Sequence, residues 1–195
     1  MNKSKISYIT KIAVLGAISA ILMLFECPLP FAPSFYELDI SEVAVLIAGF
    51  ALGPLAGVLT ELVKILINLV INGTATAFVG EIANFCIGVS FVLPAALIYK
   101  KNKNLKNAMI GMVVGIVSIT VFGALLNYFV MLPAYSKFLI PMDAIVDMAR
   151  SVNPNINSVT ELILFATVPF NLLKGVACSI ITAMIYKRVS PILHK

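Results

Sequence analysis

Two polar side chains stand out in the last apolar stretch of the sequence, residues 160–186. Lys174 lies near its middle, and Asn171 precedes it by three residues, which places both on one face of a helix. A charge at mid-bilayer costs about 2.5–3.5 kcal/mol on insertion scales, so such a residue usually faces a cavity or a partner. Lysine donates hydrogen bonds and asparagine both donates and accepts them. The pair therefore suits a carbonyl, an imide edge or a hydroxyl of a ligand, unless Lys174 only forms a buried ion pair.

Further polar residues are placed where they could line the same cavity. Asn127 lies near the outer end of the fifth apolar segment, and Glu81 and Asn84 open the fourth. A carboxylate in a first helical turn is also favoured by the helix dipole, which makes Asn84 the stronger candidate of the two. Glu61 and Lys64 on the third segment are three residues apart, and a local ion pair is their simplest interpretation.

The stretch 26–39 combines three prolines with three aromatic residues. Proline stiffens an extended chain, and aromatic rings offer flat apolar faces. Such a loop could close over a planar ligand. An aromatic belt at the membrane surface is the alternative.

Composition restricts the class of protein. The chain has 195 residues, of which 61% are hydrophobic and 12% charged, whereas a soluble domain carries roughly 25% charged residues. The three cysteines (Cys27, Cys86 and Cys178) show neither metal-ligand spacing nor a disulfide framework. No phosphate-binding GxxxxGK[ST] loop, HExxH or GxSxG motif occurs, so we expect no catalytic residues, no metal and no ATP site of this kind.

Six apolar segments are predicted as membrane helices: 8–25, 40–52, 54–71, 82–99, 108–132 and 160–186. The second and third are nearly continuous, and the break between them rests on Gly53-Pro54 and on charge. With that break, the N-terminus, residues 100–106 and the C-terminal tail share one side, which holds ten of the 14 basic residues and none of the nine acidic ones. The positive-inside rule makes this side cytoplasmic.

The predicted fold is therefore an all-α integral membrane protein with six transmembrane helices and both termini in the cytoplasm. It forms one domain over residues 1–195. The outer loop 133–159 is expected to contain a short surface helix at 141–150, because apolar residues recur there at helical spacing.

Small residues form a strip on the first helix, at Ala13, Gly16, Ala17 and Ala20. Small side chains at a spacing of four let another helix approach closely. The strip could serve packing within the chain or contact with a partner subunit.

Several local stretches resemble the substrate-binding S components of energy-coupling-factor (ECF) vitamin transporters, and specifically the riboflavin-specific ones. They are YELDISEV at 36–43, IAGFALGPLAG at 47–57, GEIANF at 80–85, NYF at 127–129 and PFNLLKG at 169–175. The resemblance implies a subunit that binds its vitamin from outside and docks to a transmembrane coupling subunit, itself bound to two cytoplasmic ATPases. Residues 26–39 would act as a lid, and the small-residue strip would meet the coupling subunit.

The resemblance also implies a ligand, riboflavin, which is transported rather than kept as a cofactor. Phe35, Tyr36 and Leu38 suit its planar ring, and Asn127, Asn171 and Lys174 suit its imide edge or its ribityl hydroxyls, with Glu81 and Asn84 as further candidates. Three other functions stay open: an S component for another vitamin, a self-sufficient secondary transporter, and an intramembrane enzyme. A secondary transporter should show inverted repeats, and an enzyme needs a nucleophile–base pair; neither is visible in the sequence.

Overall fold

The computed structural model describes residues 3–33 and 35–193, with side chains for 5–33 and 35–186. Lys3, Lys187, Arg188 and Lys195, which the topology prediction uses, therefore lie outside the described side chains. The helices are α1 (Lys3–Met23), α2 (Glu42–Leu52), α3 (Pro54–Asn72), α4 (Val79–Lys101), α5 (Leu105–Leu126), α6 (Leu132–Phe138), α7 (Met142–Val152), α8 (Val159–Leu162) and α9 (Val168–Leu193). The predicted all-helical membrane class is confirmed.

The break between the second and third segments is confirmed at Gly53. Its φ of 106° lies in a region that glycine adopts without steric cost, and its N–H closes α2 on the carbonyl of Gly49 at 3.1 Å. Pro54 then opens α3, where a proline has no hydrogen bond to lose. The chain therefore turns at a point where hydropathy alone would continue one helix.

Helix α2 is much shorter than a membrane span. Its 11 residues reach about 16 Å at 1.5 Å per residue, against about 30 Å of hydrocarbon. Residues 42–51 are all buried inside the protein. Five other helices in the described chain are long and apolar enough to cross a membrane: Lys5–Met23, Pro54–Asn72, Val79–Lys101, Leu105–Phe138 and Val159–Tyr186. The count of six crossings stays a prediction.

Two wide π-helical turns interrupt the long helices, at Asn127–Met131 and Ile163–Thr167. Each ends two residues before a proline, Pro133 and Pro169. A proline in a helix lacks the N–H and clashes with the carbonyl four residues back, and one extra residue in the turn relieves that clash. The fifth helix consequently passes Pro133 and continues to Phe138, so the prediction that it ends at residue 132 was wrong.

The loop after α1 contains a two-residue antiparallel hairpin that the sequence did not predict. Strand β1 (Cys27–Pro28) pairs with β2 (Glu37–Leu38), with Cys27 opposite Leu38. The short helix predicted in the long loop is confirmed as α7, which buries Ile145, Val146 and Ala149. One apolar cluster packs beneath the hairpin loop and includes Tyr36, Leu162 and Phe170; a second fills the space between α2, α4, α5 and α9.

Elements expected on one side of the membrane do meet at one end of the molecule. Tyr8 of α1, the Gly53 turn, and Lys100 and Lys103 beside the end of α4 line one shared surface depression. Near the end of α9, the hydroxyl of Tyr186 lies 3.0 Å from that of Tyr99.

Candidate ligand-binding site

A cavity of about 180 Å³ lies at the other end of α4, beneath the hairpin loop. Residues from the end of α1, the loop, α4, the first π turn, α6 and α9 form its wall. Apolar and aromatic side chains cover part of the wall, and amides and charged groups project into the rest. The lining residues are Met23, Glu26, Phe35, Tyr36, Glu37, Asp39, Gly80, Ala83, Asn84, Ile87, Asn127, Met131, Tyr135, Phe170, Asn171 and Lys174.

Lys174 reaches the cavity and is ion-paired there. Its Nζ lies 2.8 Å from Oδ2 of Asp39, and the two residues are only 7% and 3% exposed. The other Asp39 oxygen accepts the backbone N–H of Ser41 at 2.8 Å. Among the described lining residues Lys174 is the one basic side chain, so a ligand meets an ammonium whose charge Asp39 already balances.

Tyr36 ties the loop to both π turns. Its hydroxyl donates to Oδ1 of Asn127 at 3.0 Å and lies 2.7 Å from Oγ1 of Thr167. Its ring stacks on Phe170 with 5.1 Å between centroids. Burial raises the pKa of Tyr36 well above its ordinary value, although the Thr167 hydrogen bond opposes the shift. The phenol therefore keeps its proton and serves as a donor.

The two asparagine amides are held by the backbone. Asn127 Nδ2 donates to the carbonyl of Gly123 at 2.8 Å, and Asn171 Nδ2 donates to the carbonyl of Thr167 at 3.0 Å. Each amide nitrogen thus keeps one hydrogen for a ligand. A Cβ on Gly123 would press against the Asn171 amide, so the close approach of α5 to α9 at this point depends on glycine.

The mouth of the cavity is acidic. Glu26 and Glu37 line it and their side chains are exposed. Partial burial of Glu26, together with the charge of Glu37 and a hydrogen bond between the two carboxyl groups, raises the pKa of Glu26 to about 7. Glu26 therefore keeps its proton up to about neutral pH.

The structure brings six of the eight predicted ligand residues together in this wall: Phe35, Tyr36, Asn84, Asn127, Asn171 and Lys174. Glu81 instead accepts a hydrogen bond from Thr76 Oγ1 at 3.0 Å, which is a local contact at the start of α4. Leu38 packs against the apolar cluster beneath the loop.

Several residues of the site were not predicted from the sequence. Asp39, Glu26 and Glu37 lie in the loop but were not predicted as ligand residues, although acidic residues beside an apolar segment can indicate a functional site. Thr167 gave no signal, because a threonine in an apolar helix commonly bonds its own backbone.

The predicted ion pair between Glu61 and Lys64 is confirmed at 2.7 Å, and it gains a third member. Lys64 Nζ lies 2.7 Å from Oε1 of Glu42 on α2, and all three residues are at most 1% exposed. The triad fixes α2 on α3 beneath the cavity. In the described part of the chain, no group of three or more His, Cys, Asp or Glu residues is arranged to hold a metal ion.

Comparison with known proteins identifies the family. The family model of the substrate-specific component of ECF transporters matches residues 7–186. The chain belongs to this family of ECF S components. It is 33% identical over 195 residues to the riboflavin transporter RibU of Staphylococcus aureus (strain TCH60), covering 100% of this chain and 96% of that protein.

Two further matches agree with this family. The riboflavin transporter FmnP of Bacillus subtilis (strain 168) is 30% identical over 188 residues, covering 96% of this chain and 94% of that protein. A solved structure of the S component of a bacterial ECF transporter matches with a TM-score of 0.74 and 32% identity over the whole of both chains.

The structure divides the small-residue strip of this S component between two environments. Gly16 and Ala20 are buried, and a methyl group on Gly16 would overlap the side chain of Val63 on α3. Ala13 is exposed and Ala17 is half-buried. The strip is therefore buried at two positions, with Gly16 packed against α3, and leaves the other two accessible.

Proposed function

We propose that this S component binds riboflavin from the outside of the cell and passes it inward as part of an ATP-driven importer. The observation that carries the proposal is the full-length similarity to two proteins named as riboflavin transporters. The cavity supports it, because a mixed wall of aromatic rings and a few placed polar groups is the usual form of a small-molecule site.

In this proposal the isoalloxazine ring lies against Phe35, Tyr36 and the nearby Leu38. Asn84, Asn127, Asn171 and Lys174 bind its polar edge or the ribityl hydroxyls, and Glu81 supports the wall from behind. A cavity of about 180 Å³ is below the roughly 300–1,000 Å³ of typical ligand pockets. Residues 26–39 must therefore move outward to admit the vitamin and then close over it.

The direct test is a titration of the purified protein with riboflavin, followed by quenching of flavin fluorescence. Excess thiamine, biotin or folate serves as competitor. We expect quenching that saturates at one flavin per chain and resists the other vitamins. Quenching abolished by another vitamin would identify that vitamin as the ligand instead. A lack of any quenching would overturn the proposal that the protein binds riboflavin.

We further propose that residues 1–195 form one membrane domain with six crossings and both termini in the cytoplasm, α2 and the segment leading into it making the second crossing. The grouping of Tyr8, Gly53 and Lys100 at one end of the molecule supports this arrangement. Single cysteines introduced at Lys103 and at Ser151 in a cysteine-free variant provide the test. An impermeant thiol reagent added to intact cells should label the second site and spare the first; equal labelling would refute the topology.

Transport requires partners in this proposal, namely a transmembrane coupling subunit and two cytoplasmic ATPases. The accessible positions Ala13 and Ala17 are the proposed contact. Replacing both with leucine should prevent co-purification of the coupling subunit while leaving riboflavin affinity unchanged. Val117→Leu, at an exposed position on α5, is the matched control. Riboflavin uptake by liposomes that contain this chain alone would instead favour a self-sufficient transporter.

A further inference from the structure

Thr167 contacts the side chains of Tyr36 and Asn171, although it lies behind the cavity wall. It is 0% exposed and forms the last residue of the second π turn. Its hydroxyl lies 2.7 Å from the hydroxyl of Tyr36, and its carbonyl accepts the side-chain amide of Asn171 at 3.0 Å. One residue thereby contacts the loop and helix α9 at the same point.

The hydrogen bonds through Thr167 have a fixed direction. The Gly123 carbonyl can only accept, so the nitrogen of the Asn127 amide must face it and the amide oxygen must face Tyr36. A phenol has one proton, and Tyr36 gives it to Asn127. The short contact to Thr167 therefore requires the threonine to donate. Thr167 thus donates to Tyr36, Tyr36 to Asn127, and Asn127 to the carbonyl of Gly123.

Such a chain of hydrogen bonds determines which donors and acceptors a ligand contacts. In such a chain each hydrogen bond polarises the next, and a buried hydroxyl that loses its partner carries a desolvation cost. The orientation of Asn127 leaves its second N–H for a ligand, and that of Asn171 leaves an N–H beside an amide oxygen to which no described residue donates. If the Thr167 hydroxyl is removed, the Tyr36 oxygen loses the donor that fixes its position, and its hydrogen bond to the Asn127 amide is weakened, although the Gly123 carbonyl still holds the amide nitrogen.

We propose that Thr167 is a positioning residue of the binding site. Its hydroxyl orients Asn127 through Tyr36, and its backbone carbonyl orients Asn171 directly. The proposal rests on the proposed function, because it assumes that this cavity binds the flavin. It assigns Thr167 a role in affinity without contact with the ligand. Serine keeps the donor hydroxyl at position 167, whereas valine keeps the shape and removes the hydroxyl.

The experiment measures the riboflavin Kd of Thr167→Ser, Thr167→Val, Tyr36→Phe and the double variant that joins the last two. Thr120→Val is the matched control, because within the described residues the Thr120 hydroxyl bonds only its own helix, at the Ile116 carbonyl 2.7 Å away. The melting temperature without ligand is recorded for each variant. Should Thr167→Val not fold, Thr167→Ala replaces it in both the single and the double variant.

We expect Thr167→Val and Tyr36→Phe each to weaken binding by about tenfold, the effect of one buried hydrogen bond. Thr167→Ser should stay within about threefold of wild type, and Thr120→Val should not change the Kd. Because both changes break one chain, the double variant should be no weaker than the weaker single variant. Multiplied losses in the double variant, or a valine variant that binds like wild type, would overturn the proposal. If wild type itself does not bind riboflavin, the proposed function fails instead.

Discussion

The pair formed by Lys174 and Asp39 allows two roles of the lysine to be separated. If Lys174 only holds α9 against the start of α2, its charge matters for stability alone. If it also binds the ligand, its loss reduces affinity even in a variant whose stability has been restored. The informative variants are Lys174→Met, Asp39→Asn and the neutral double variant, since methionine fills about the same volume as the lysine stem.

The magnitudes follow from the burial of the pair. The two charges are 2.8 Å apart with side chains 9% and 3% exposed, and removing one partner of a buried pair costs about 3–5 kcal/mol of unfolding free energy. A neutral pair leaves no unpaired charge, so the double variant should recover to within about 2 kcal/mol of wild type. A lost hydrogen bond from the ammonium to a ligand costs about 1.5–3 kcal/mol, which is about ten- to a hundredfold in Kd.

The assay combines unfolding in detergent micelles with flavin fluorescence quenching on the same samples. Arg150 and Asp147 on α7 form a matched control, because they are similarly close at 2.7 Å but their side chains are 44% and 65% exposed. The corresponding neutral double variant should change stability by less than about 1 kcal/mol and should not affect the Kd.

The result that would refute this reasoning is a double variant of Lys174 and Asp39 that is both stable and binds riboflavin like wild type. Lys174 would then be a packing residue only. A double variant as unstable as Lys174→Met would show instead that the pair does more than balance charge.

Three other perturbations test different parts of the structure. Lys64→Met leaves two buried carboxylates without their cation, so it should cost at least about 3–5 kcal/mol of unfolding free energy, and more than Glu61→Gln; equal losses would show that the triad is misplaced. Gly88→Ala puts a methyl group against the Glu61 carboxylate and should destabilise the protein by about 1–3 kcal/mol, whereas an unchanged melting temperature would contradict the close packing of α3 and α4. The pKa of Glu26 is raised from 4.5 to about 7, so its contribution to the closed loop is full below pH 4.5 and is lost as pH rises through 7. Riboflavin affinity should therefore fall between pH 4.5 and about pH 7 in wild type and stay flat in Glu26→Gln, and identical pH profiles would exclude this mechanism.

Much of the fold was predictable because hydropathy and charge act locally. The turn at Gly53 follows from one glycine, one proline and the distribution of lysines, and the structure places the turn there. The π turn before Pro133 was not predictable in the same way. A proline usually ends a helix, and only packing against neighbouring helices decides whether the chain widens and continues.

The residues of the candidate site also divide into those that the sequence predicts and those that only the folded structure reveals. Lys174 and Asn171 were recognisable because charge and amide groups are costly in an apolar segment. Asp39 is 135 residues away from its partner Lys174 in the chain, so no spacing rule connects them. Thr167 depends on a hydroxyl contact with Tyr36 across 131 residues, and such a pairing emerges only from the folded arrangement.

The most direct test of the central proposal is a structure of the protein purified with riboflavin. We predict flavin density in the cavity beneath residues 26–39, with the ring against Tyr36 and polar atoms of the ligand within hydrogen-bonding distance of Asn171 and Lys174. Flavin density elsewhere, or an empty cavity in a sample that carries one flavin per chain, would contradict this account of the site.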